Sequence, residues 1–71
     1  MNNEFKAGDW VLYIGASDEQ VRWGGNADPR GILKSRSLYT LARVEVHKQH
    51  TKLFLEGIPN LGFNSVHFNP S

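Results

Sequence analysis

The chain has no cysteine in its 71 residues. That excludes disulfide stapling, thiolate zinc sites and thiol catalysis. It has no long apolar run either. The longest uncharged apolar stretch is Trp10 to Ile14, far short of the roughly 20 residues a membrane-spanning helix needs. The opening residues MNNEFKAGD place no basic segment ahead of an apolar one, so no secretory signal is expected. Together these absences lead us to expect a cytoplasmic chain with no membrane association. Excess charge is missing too: the formal net charge is +1. Finally, no segment keeps apolar residues at helical spacing over two turns, which argues against an α-helical domain.

What is present is a strand pattern. Asp9 to Ile14 alternates and is rich in aromatic and β-branched residues between Gly8 and Gly15; Leu38 to Val46 and Lys52 to Glu56 follow the same rule. A short fourth piece around Phe63–Phe68 comes after a loop holding Pro59 and Gly62. In the second stretch Tyr39 and Leu41 share one parity and Val44 and Val46 the other. The inward direction therefore changes once between Leu41 and Val44. A bulge or bend does this, and it lets one strand serve two sheets, which favours a closed or nearly closed barrel. Val11, Tyr13, Tyr39, Leu41, Val44, Val46, Leu53, Leu55, Phe63 and Phe68 are the expected core. A chain this short buries only about 60% of its unfolded surface, so one domain, residues 1–71, is all it can form, with residues 1–4 as a loose N-terminus.

The order of elements resembles an SH3-like barrel. The resemblance rests on Phe5-x-x-Gly8-Asp9-x-Val11-x-Tyr13, Leu38-Tyr39-x-Leu41-x-x-Val44, Leu53-x-Leu55-x-Gly57 and Phe63-x-Ser65-x-x-Phe68. It covers roughly residues 5–69, and the pattern is similar to small bacterial and phage-encoded proteins with this barrel. It implies an all-β fold of about five short antiparallel strands, with 15–37 as the long first (RT-type) loop. It also implies a hairpin tip at His47–Thr51 and a 3₁₀ turn at Ser65–Phe68. The Ala-Leu-Tyr-x-Tyr opening and the paired tryptophans of the proline-rich-peptide binders are absent, and the fold by itself does not carry a function.

Charge is unevenly spread. Residues 1–29 hold Lys6 and Arg22 against Glu4, Asp9, Asp18, Glu19 and Asp28, whereas 30–56 hold Arg30, Lys34, Arg36, Arg43, Lys48 and Lys52 against Glu45 and Glu56. Two binding readings follow. Aromatic residues beside arginines make interface hot spots, so the first is a non-enzymatic adaptor that binds a protein through loop 15–37. Its contact residues would be Trp23, Arg22, Arg30, Lys34 and Arg36, flanked by Trp10 and Phe54 on the outward parity of their strands. The alternative is nucleic-acid binding by the basic edge of Arg30, Lys34, Arg36, Arg43, Lys48 and Lys52. Association of two copies through open strand edges is a third. The competing reading of the aromatics is a second small core, with the loop folded over Trp10 or Phe54. His47, His50 and His67 lack a carboxylate or cysteine at a ligand spacing, and nothing matches a nucleophile elbow or phosphate loop. We therefore expect no metal, no cofactor and no catalysis.

Overall fold

The computed structural model describes residues 5–23, 25–48 and 50–71; the expected loose N-terminus, residues 1–4, lies outside them. Five strands, β1 (Trp10–Tyr13), β2 (Leu38–Val46), β3 (Thr51–Leu55), β4 (Ile58–Asn64) and β5 (Phe68–Pro70), form one antiparallel sheet in the order β4-β3-β2-β1-β5. Strand β2 is the hinge of the sheet. Its first residues pair with β1, from Leu12↔Leu38 to Trp10↔Thr40, and its remainder pairs with β3 from Leu41↔Leu55 to Val46↔Thr51. The register shifts between Leu41 and Arg43, where the sequence parity changes. Of the closed or nearly closed barrel expected, the closed form is not found, because β4 and β5 remain the two edges of the sheet. It is strongly curled all the same: Phe63 of one edge strand and Phe68 of the other bring their rings to 6.4 Å.

The concave side holds the core, formed by Val11, Tyr13, Leu41, Leu53, Leu55, Phe63, Phe68 and the loop residue Leu33, with Tyr39 and Val44 packed against it. Val46, expected inside, is 65% exposed. It is the last residue of β2, opposite Thr51 at the mouth of the hairpin, where the concave face has run out of neighbours. The hairpin itself is present, closed by the His47 amide on the His50 carbonyl at 2.8 Å.

Pro59 and Gly62 also depart from expectation, since they lie inside β4 rather than in a loop. The connection from β3 is only Glu56-Gly57, and Gly57 adopts φ 93, the left-handed region a two-residue hairpin turn requires. Proline is tolerated in β4 because that strand is an edge. The 3₁₀ turn falls at Ser65–His67, started by Asn64, whose side-chain oxygen accepts from the Val66 amide at 3.1 Å. One helix was not expected. α1 (Asp18–Arg22) sits within the long connection between β1 and β2. It begins with a reciprocal capping box in which the Ser17 hydroxyl accepts from the Gln20 amide and the Gln20 side chain accepts from the Ser17 amide.

Candidate binding surfaces

The long connection is built against the body of the protein at several points. Pro29 is fully buried and Leu33 is 8% exposed. The Ala27 amide donates to the Gly62 carbonyl at 2.8 Å, the Leu33 amide to the Pro29 carbonyl at 2.9 Å, and the Lys34 amide to the Tyr39 hydroxyl at 2.8 Å. The Arg36 amide donates to the Tyr13 carbonyl at 2.8 Å, which ties the loop's end to the end of β1.

Arg30 is the loop's main clasp. Its backbone amide and Nε donate to Asp28 Oδ1 at 2.9 and 3.1 Å, its Nη2 to Asp28 Oδ2 at 3.2 Å, and its Nη1 to Asp18 Oδ1. These side-chain hydrogen bonds from Arg30 hold the Asp28 carboxyl below the usual carboxylate range, and the two carboxylates push the guanidinium above its ordinary value. Asp18 belongs to α1 and Asp28 to the far side of the loop, so Arg30 ties together two points of the chain that lie on either side of Trp23 in sequence. Expected as a contact residue, Arg30 is committed to its own chain.

His67 fixes the loop's start. It is 1% exposed, its carbonyl accepts from the Ile14 amide at 2.8 Å, and its ring donates to the Gly15 carbonyl. Its other ring nitrogen, Nδ1, is buried without a hydrogen bond. Burial lowers the His67 pKa; the Gly15 carbonyl and the Asp28 charge pull the other way. No local signal in Ser65-Val-His67 announces this burial, which comes from the 3₁₀ turn folding inward.

With the loop held in this way, Trp23 at the end of α1 remains 58% exposed, with Arg22 exposed beside it. Of the competing picture, in which the loop folds over Trp10 or Phe54, the first half is not the arrangement found, since Trp10 is itself 56% exposed. Phe54 corrects the sequence reading in the opposite sense: it is 6% exposed rather than open. The Arg43 guanidinium carbon stands 3.7 Å from its ring centroid, and Gly62 on β4 leaves room for the ring. An ideal Cβ at Gly62 would lie 2.9 Å from Phe54 Cζ and 2.4 Å from Lys52 Cδ.

The seven expected contact residues are thus divided. Trp23 and Arg22 are presented by the loop, Arg30 and Phe54 are used internally, Lys34 is exposed at the loop's end, and Trp10 and Arg36 belong to a different surface. That surface is the convex face of β1 and the start of β2. Trp10 and Leu12 alternate with the buried Val11 and Tyr13, and Leu38 lies opposite Leu12. Leu38 is 51% and Ile14 47% exposed, and Leu12, Ile14 and Arg36 line a shallow cleft. Leu12, Ile14 and Leu38 were missed in the sequence, although their shared parity with Trp10 was legible there.

The basic edge is weakened as a phosphate surface. Arg30 is engaged by Asp18 and Asp28, and Arg43 by Glu45, so two of its six cations are already neutralised by the chain's own carboxylates. His47 reaches the same Glu45 at 3.2 Å and stacks on His50 with ring centroids 4.9 Å apart. No group of three metal-ligating side chains occurs among the described residues, and no described helix is long and apolar enough to cross a membrane. Compared with models of known families, with curated proteins and with solved structures, the chain matches none.

Proposed function

We propose that the chain is a small SH3-like barrel left open between β4 and β5, serving as a non-enzymatic module that binds another protein through the loop 15–37. Three features support the barrel part of this reading. The strand order is β4-β3-β2-β1-β5, β2 is shared between two halves with its register shift at Leu41/Arg43, and a 3₁₀ turn precedes the last strand.

The observation that carries the binding part is Trp23. The loop around it buries Pro29 and Leu33 and clasps Arg30 to Asp18 and Asp28, yet leaves this one indole 58% in water. An exposed tryptophan beside an arginine has the chemistry of an interface hot spot, and a loop tied to the body by hydrogen bonds at Ala27, Lys34 and Arg36 loses less entropy on binding than a free one. The test is affinity capture of partners from the native host's lysate with the parent chain and with Trp23→Ala. Loss of a specific partner from the variant, with thermal unfolding unchanged, is the expected result. The same partner captured equally by both would refute the reading.

A further inference from the structure

We propose that the convex face of β1 and the start of β2 is where a second copy of this chain docks, across a two-fold axis beside Leu12. The face reads as three short rows. Trp10 and Leu12 lie on β1, with Ile14 just past its end; on β2 lie Thr40 opposite Trp10 and Leu38 opposite Leu12, on β5 the exposed Asn69 lies opposite Leu12, and Arg36 joins Leu12 and Ile14 in the cleft at the other end.

One end of the face is therefore aromatic, the middle is aliphatic, and the far end carries a guanidinium. A two-fold axis at the middle exchanges the ends, because in such an interface residue i meets j while j meets i. It lays Arg36 of each copy over Trp10 of the other and Leu12 against Leu12. Trp10 and Ile14 lie about 13 Å apart along the strand, so both arginine–indole contacts fit one interface of ordinary spacing.

The same pairing already exists within the chain. Arg43 covers the outward aromatic of β3, Phe54, at 3.7 Å, and that ring is 6% exposed. Trp10 is the outward aromatic of β1, has the uncharged Thr40 as its neighbour on β2, and is 56% exposed. Arg36 makes no ion pair among the described residues, and its backbone is held at φ 65, where a residue other than glycine is strained. The docked pair does between copies what Arg43 and Phe54 do within one.

The occupant is a second copy for two physical reasons. No carboxylate occurs among these seven face residues, so the two faces meet without like charges opposed at their centre. A chain of 71 residues with net charge +1 also has little self-repulsion to keep copies apart. Strand edges are the poorer route, since β4 carries Pro59 and β5 is three residues ending in Pro70. The few side chains of this face are well short of the roughly 20–30 residues a side of a standard interface, so a dimer dissociating in the micromolar range is expected.

Sedimentation velocity from about 5 to 500 µM tests this, because a micromolar dimer crosses its midpoint in that window. The parent should move from monomer to dimer mass, and Leu12→Lys should stay monomeric, with two ammonium groups facing each other across the axis. Arg36→Gly is the control for folding. It relieves the positive φ and removes the guanidinium, so it should unfold no more easily than the parent while dimerising about tenfold more weakly. Trp23→Ala should dimerise like the parent. A parent that stays monomeric up to about 500 µM overturns the proposal, as does a Leu12→Lys variant that dimerises as tightly as the parent. Loss of the dimer in Trp23→Ala overturns it as well, by placing the contact on the loop.

Discussion

Phe54 and Trp10 occupy comparable places, each the outward aromatic of its strand, yet one is 6% and the other 56% exposed. The difference lies in their neighbours rather than in their own strands. Beside Phe54, β2 offers Arg43 and β4 offers Gly62, so a planar cation covers the ring and the backbone leaves room for it. Beside Trp10, β2 offers Thr40, too short to cover an indole. Half of the convex surface is thus sealed by the chain itself and the other half is left open. In a protein this small, exposed apolar area has to be accounted for residue by residue, and the open half is where a partner adds the most buried surface.

This contrast can be broken by substitution. Phe54→Ala should cost about 3 kcal/mol in urea unfolding, whereas Trp10→Ala at dilute concentration should change stability by no more than about 0.5 kcal/mol. Equal losses would mean that the two rings are buried alike. Gly62→Ala should follow at about 1–2 kcal/mol, because its methyl meets Phe54 Cζ and the Lys52 stem at contact distances neither can hold unmoved. Arg43→Ala removes the cover but keeps the ring in place, so about 0.5–1 kcal/mol is expected, with Phe54 more exposed.

The smallest expected effect concerns pH. His67 is buried and its pKa lies below the ordinary 6.5, so between those two values the unfolded chain holds a proton that the folded chain does not. Stability should therefore be full above about pH 6.5 and decline as pH falls through that window. In His67→Gln the slope should flatten. A variant whose pH profile of urea midpoints keeps the parent's slope would show that His67 is not its source.

Much of the scaffold was legible in the residues. Leu38–Val46 is a strand with the bounds its alternation suggests, its parity change marks the register shift, and the 3₁₀ turn lies within Ser65–Phe68. What escaped was set by contacts distant in sequence. Gly62 reads as a loop glycine, but it is the open space under Phe54 within an edge strand. Arg30 reads as a free cation until Asp18, twelve residues earlier, is folded back beside it. Val46 alternates correctly yet falls beyond the end of the core. The α1 helix, like the outward parity of Leu12, was a local feature overlooked, since Ser17-x-x-Gln20 is a capping box in plain sequence. The candidate surface was half legible: Trp23 and Trp10 stood out as aromatics that turns and core did not require, whereas which of them the chain covers depended on the long-range pairing of β1 with β2.

The two tryptophans also differ in how they are held, and the functional reading depends on the second. Trp10 is on a paired strand, whereas Trp23 is displayed by a connection whose order comes from Ala27–Gly62, Leu33–Pro29, Lys34–Tyr39 and Arg36–Tyr13 hydrogen bonds. Native-state hydrogen exchange, resolved by residue, measures that order directly. The amides of Ala27, Leu33, Lys34 and Arg36 should exchange with protection comparable to the amides of β2 and β3. Exchange of all four at the rate of an unstructured chain would contradict a pre-ordered binding loop.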